Sequence, residues 1–193
     1  IVGNKKTAEF VKELYGADNV HLVQDGDELC LGRRTLKFYL TPMVHWPETM
    51  MTYETTDGIL FSGDAFGGFG ALEGGIFDDE VDLDYYENEI LRYFSNIVGK
   101  YSPMVQKAIA KLSGVDIRTI AATHGPIWRT DPGHIVRLYD HWSRQETEPG
   151  VVVVFGSMYG ATEKMAEAVE RGVADGGVKA IRSNNISTSH VSY

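Results

Sequence analysis

Hydrophobic positions along this chain change their period several times, and each change predicts an element. Ala8, Val11 and Leu14 recur at helical spacing, so Thr7–Leu14 reads as a short amphipathic helix that Gly16 closes. Short strand-like runs follow, punctuated by turn residues. Val20–Val23 ends at Asp25-Gly26-Asp27, Leu29–Leu31 stops at Gly32, and the alternating Leu36–Leu40 ends at Thr41-Pro42. Met50–Glu54 and Gly58–Phe61 flank a Thr-Thr-Asp-Gly hairpin turn. The period then lengthens. Ile90, Tyr93, Phe94, Ile97 and Tyr101 mark a helix with one buried face. Ser102-Pro103 opens a second helix through Leu112. Ile117–Ala122 is a strand running into Thr123-His124-Gly125-Pro126, and Pro132–Gln145 is a further helix.

The texture shifts at the polar stretch Glu146–Pro149. Val151–Phe155 is a continuous apolar run, the pattern of a parallel strand covered on both faces. A small-residue loop, a helix from Glu163 to about Asp175, Gly176-Gly177 and a strand over Val178–Ile181 come next. Strand, loop, helix and strand in that order open a doubly wound fold. The expected domains are therefore 1–148 and 149–193.

Composition narrows the functions. The 193 residues are 43% hydrophobic and 23% charged, ordinary for a globular protein. A net charge of -9 without a long basic run disfavours nucleic acid, whose phosphates require clustered cations. No apolar stretch is long enough to predict a membrane span. One cysteine, Cys30, allows no internal disulfide and fits a cytoplasmic location.

Three residues share one placement. His45, Asp64 and His124 each lie just past the end of a predicted strand. Imidazole and carboxylate are ligands for iron, zinc or manganese, and converging strand ends would bring the three together. The two oxygens of Asp64 could serve two metal ions. Each residue also has an ordinary reading: a hydrogen-bonded loop histidine, or an aspartate in a turn. His21, His134, His141 and His190 read as structural or surface groups. The loop Ser157, Met158, Tyr159, Gly160, Ala161 and Thr162 is a second candidate. Its small residues and the following helix N-terminus suit an anion. Without a P-loop lysine, the phosphate of FMN fits better than a nucleoside triphosphate. The ordinary alternative is a helix capped by Thr162.

The stretches HWPETM (45–50), SGDAFGGFGAL (62–72), YFSNIVGKYSPMVQKA (93–108), THGPIWR (123–129) and VVVVFGSMYGATEKMA (151–166) resemble the flavodiiron proteins. The resemblance implies an α/β chain: the C-terminal half of an αββα metallo-β-lactamase-like sandwich, then the start of a flavodoxin-like doubly wound parallel sheet. It implies two non-haem iron ions, with His45 on one, His124 on the other and Asp64 bridging. FMN would bind through Ser157–Thr162. Trp46 and Trp128 would be groups near the irons or flavin, or core. Electrons would come from a donor such as rubredoxin, and dioxygen would be reduced to water or nitric oxide to nitrous oxide. A head-to-tail homodimer is implied too.

The family's H-x-E-x-D-H ligand cluster does not occur in this sequence and is expected upstream of Ile1. Most of the flavodoxin domain is expected after Tyr193. The sequence is thus expected to be part of a longer protein and inactive alone. Two rival readings are a zinc hydrolase using the same three residues and an electron carrier or inactive fragment.

Overall fold

The computed structural model describes residues 1–188. The chain divides into two compact units, Ile1–Gln145 and a second beginning at Glu146.

In the first unit, strand β1 (Val2–Gly3) pairs in parallel with β2 (His21–Leu22) around helix α1 (Lys5–Tyr15). Asn4 caps α1 by accepting from the backbone N–H groups of Lys6 and Thr7 at 2.9 and 3.0 Å, and Gly16 ends it in the left-handed conformation. The predicted apolar stripe is present but fully buries no side chain. Ala8 and Val11 are half-buried, whereas Leu14 and Tyr15 are exposed.

The main sheet has the order β3 (Glu28–Cys30), β4 (Thr35–Leu40), β5 (Met50–Glu54), β6 (Ile59–Gly63), β7 (Thr119–Ala122). The first three pairings are antiparallel and the last is parallel. A parallel neighbour needs a long crossover. Here residues 64–118 supply it, carrying α2 (Leu83–Tyr93) and α3 (Ser102–Leu112). Tyr53, Leu60 and Ile120 are register partners and lie buried on one face. With Ile90, Phe94, Val105, Ile135 and Tyr139 they form the core between the sheet and helices α2, α3 and α4 (Pro132–Ser143). On the other face Phe61 is 48% exposed. The helices thus cover one face of the sheet, as in half of a sandwich.

The middle helix departs from the regular period. After Tyr93 the backbone takes a π turn over Phe94–Val98 and a 3₁₀ turn over Gly99–Tyr101 before α3 begins. The expected single helix through Tyr101 is therefore broken, by the kind of one-residue expansion often found beside functional sites. Tyr93 packs toward His124, and Phe94 toward Tyr139 and Trp142.

In the second unit, β8 (Val151–Phe155) and β9 (Ile181–Asn185) pair in parallel, joined by α5 (Ala161–Asp175). Two expectations are corrected. Among the described residues Val152 and Val154 are each 60% exposed, and α5 is the one helix of this unit, so within them β8 is covered on one face. The last strand begins at Ile181 rather than Val178. Gly177 turns with φ 89° and the Val178 N–H still bonds the Val173 carbonyl, so these residues finish the helix end. Among the described residues, no helix is long and apolar enough to cross a membrane.

Candidate metal centre and phosphate loop

Strands β4 and β6 both run antiparallel to β5, hence parallel to each other, and β7 is parallel to β6. The ends of β4, β6 and β7 therefore lie at one edge of the sheet. His45, Asp64 and His124 follow those three strands and meet there. The Asp64 Oδ2 atom lies 3.1 Å from His45 Nε2, and its Oδ1 atom lies 3.7 Å from His124 Nε2. Each carboxylate oxygen faces a different imidazole.

The loop after Asp64 explains its glycines. His124 Nδ1 lies 2.9 Å from the Gly68 carbonyl oxygen. A carbonyl can only accept, so Nδ1 carries a proton and donates it. In the neutral ring, Nε2 then holds a lone pair aimed at a carboxylate oxygen 3.7 Å away, beyond hydrogen-bond range. A cation, whether a proton on Nε2 or a metal ion, would make that contact attractive. The loop must approach closely to do this. A Cβ on Gly67 would sit 2.7 Å from the His124 carbonyl oxygen and 2.9 Å from its ring.

The spacing suits metal ions. Ligand distances of about 2.1 Å separate two ligands of one ion by about 3.0–3.7 Å at roughly 90–125°. Both observed separations fall in that span. Among the described residues, no group of three or more His, Cys, Asp or Glu could hold an ion. His45 and His124 are thus candidate half-sites only, which share Asp64.

Two groups absent from the sequence prediction join the site. Thr123 donates from Oγ1 to Asp64 Oδ1 at 2.7 Å. Its position beside His124 was the available signal. Tyr93 stands against both rings, with centroids 4.8 Å from His124 and 6.4 Å from His45. Its hydroxyl is buried with no hydrogen-bond partner among the described residues. Burial first, and then the Asp64 charge, hold the phenol well above its usual range, so it stays protonated. Periodicity placed Tyr93 only on a buried helix face, and nothing there separates it from its core neighbours. A buried, unpartnered hydroxyl costs about 1–3 kcal/mol. Tyr93→Phe is therefore expected to raise the melting temperature of the metal-free protein. A fall of several degrees in a thermal melt would count against this.

The other aromatic and histidine candidates separate. Trp46 is 57% exposed with its ring 5.9 Å from that of His45. Trp128 is 1% exposed and belongs to the core. His21 is exposed on β2, and His134 pairs with Glu87 at 2.7 Å. His141 lies on α4. His190 lies outside the described residues.

In the second unit, Ser157, Met158, Tyr159, Gly160, Ala161 and Thr162 form one turn into α5. The Gly160 N–H donates to Ser157 Oγ, and the Ser157 N–H to Ser187 Oγ, both at 3.0 Å. Thr162 is not the cap: it lies inside the helix, and the N-cap position falls on Gly160, which has no side chain to offer. No side chain caps the first-turn N–H groups, and Glu163 in that turn would oppose an anion there.

A family model described as ODP family beta lactamase matches residues 1–125. A solved flavodiiron protein from Giardia intestinalis superposes with a TM-score of 0.89 at 36% identity, covering 99% of this chain and 47% of that one. The chain belongs to the ODP beta-lactamase family, that of the flavodiiron proteins. This flavodiiron chain is similar to other members too. Rubredoxin oxygen:oxidoreductase from Desulfovibrio gigas matches with a TM-score of 0.91 and 29% identity, over 100% of this chain and 49% of that one. The nitric oxide reductase of Moorella thermoacetica is 37% identical over 161 residues, 82% of this chain and 40% of the relative. The chain spans less than half the length of each of these relatives.

Proposed function

We propose that this chain is part of a flavodiiron oxidoreductase that reduces dioxygen to water, nitric oxide to nitrous oxide, or both. The observation that carries the reading is the Asp64 carboxylate, whose two oxygens address two different imidazoles. His45 would hold one iron and His124 the other, with Asp64 joining them. The remaining ligands would come from outside these residues. FMN would bind at Ser157–Thr162. Family membership supports both cofactors, and the names of two relatives point to dioxygen and nitric oxide. A rubredoxin-like electron donor, a head-to-tail homodimer and a cytoplasmic location belong to the same reading. So does the division into a diiron domain over 1–148 and an FMN domain from 149.

The iron pair, when bound, would supply open coordination for a diatomic substrate and pass on electrons that reach it from the donor through FMN. The chain's residues do the rest. Asp64 contributes one negative charge, shared between two divalent ions. Gly68 fixes the His124 tautomer so that Nε2 is free to ligate, as outer-shell carbonyls commonly do. Phe69 and Tyr93 pack edge to face at 5.1 Å on one side of the site, and the Tyr93 phenol holds a proton beside both imidazoles.

Metal and flavin analysis of the purified full-length protein tests the reading. About two irons and one FMN per chain are expected. Zinc in place of iron would turn the reading toward a hydrolase of the same fold, and neither metal would leave an electron carrier. Ser157→Ala is expected to weaken FMN binding about tenfold, the loss of one hydrogen bond to a charged group. Flavin fluorescence on titration measures it, and unchanged affinity would remove Ser157 from the phosphate site.

A further inference from the structure

We propose that Thr123 is a positioning residue: its hydroxyl sets the orientation of the Asp64 carboxylate so that the two oxygens serve two different metal ions. The proposal rests on the diiron reading above.

Asp64 receives few restraints. Among the described residues its carboxylate meets His45, His124 and Thr123. Metal ions on the two Nε2 atoms would replace both imidazole contacts. The Thr123 hydroxyl bond, 2.7 Å long and made to Oδ1, is then the one hydrogen bond left on the carboxylate among the described residues. An oxygen with two lone pairs can accept it and still bind an ion.

Thr123 is itself well anchored for the task. Its backbone N–H donates to the Gly63 carbonyl oxygen at 2.9 Å, extending the β6–β7 pairing by one residue. Backbone and side chain of one residue thus clip the end of β7 to the turn that carries Asp64. With its Oδ1 atom tied, the carboxylate presents Oδ2 to His45 on the opposite side. Untied, it could turn about its terminal bond, where the rotational barrier is broad and low, and give both oxygens to one ion.

The test is an anaerobic Fe(II) titration of the metal-free, full-length protein. Thr123→Val keeps the branched shape and removes the hydroxyl. The first ion is expected to bind as in the wild type and the second at least about tenfold more weakly, the scale of losing an outer-shell partner. Thr123→Ser retains the hydroxyl and is expected to restore the second step. A role in folding alone would move the melting temperature of the metal-free protein and both binding steps together. Wild-type affinity for both ions in Thr123→Val, or a Thr123→Ser variant as impaired as Thr123→Val, would overturn the proposal. A wild-type protein taking up fewer than two irons would remove the diiron reading, and the proposal with it.

Discussion

Replacing Asp64 by asparagine is expected to leave the full-length protein with at most one iron per chain and to cut its turnover by at least about 100-fold. Losing outer-shell partners costs about 10–100-fold in metal affinity or activity, and Asp64 is proposed to sit one shell closer. An amide keeps one carbonyl oxygen. Its other terminus is an NH₂ group, which can donate but cannot ligate. One of the two half-sites, at His45 or at His124, would then face N–H groups where it now faces a carboxylate oxygen. The negative charge shared between two cations disappears as well. The metal-free fold should barely notice, since the Asp64 side chain is only partly buried and lies at the sheet edge. Iron analysis, turnover and a thermal melt on the same preparation separate these effects. Two irons and undiminished turnover would remove Asp64 from the site.

Gly125→Ala is expected to be the more damaging change to the fold. Gly125 has φ 81°, and a Cβ there would lie 2.9 Å from the backbone nitrogen of Gly68. The left-handed conformation alone costs an alanine about 1–2 kcal/mol. The collision adds to this, because backbone cannot swing aside as a long side chain can. A total of about 2–4 kcal/mol is expected, in the upper range for single substitutions. The displaced segment carries the carbonyl that orients His124, so metal binding should fall with stability. Gly114→Ala is the control. Gly114 has φ 84° with open space around its Cβ position, and should show the conformational cost alone. Equal losses in denaturant unfolding for the two variants would show that the contact with Gly68 carries no weight.

Much of this architecture was legible in the residues. Turn chemistry at Asp25-Gly26, Thr55–Gly58 and Ser102-Pro103 delimits elements that the structure places within a few residues, and Met50–Glu54 is a strand with the expected bounds. The strand-end placement of His45, Asp64 and His124 was legible for the same reason: turns show where strands stop. What escaped the sequence has a common cause. Hydrophobic spacing reports that a face is apolar but not what lies against it. Leu14 at the end of the α1 stripe and the outward valines of β8 are exposed, and Val178 closes a helix instead of opening a strand. Tyr93 and Thr123 escaped differently. A tyrosine on a helix and a threonine after a strand are commonplace; only their distances to Asp64 distinguish them.

The connectivity of the sheet also bears on how the site comes into being. His45 and Asp64 are 19 residues apart and joined through the β4–β5–β6 meander, while Asp64 and Thr123 are 59 residues apart across the helical crossover. Closing the longer loop costs about 1 kcal/mol more in chain entropy, and nonlocal parallel pairing is intrinsically slow. The His45–Asp64 half is thus expected to form first in folding. The imidazole of His124 depends on the docking of β7, so the two halves of the site are expected to be born at different times.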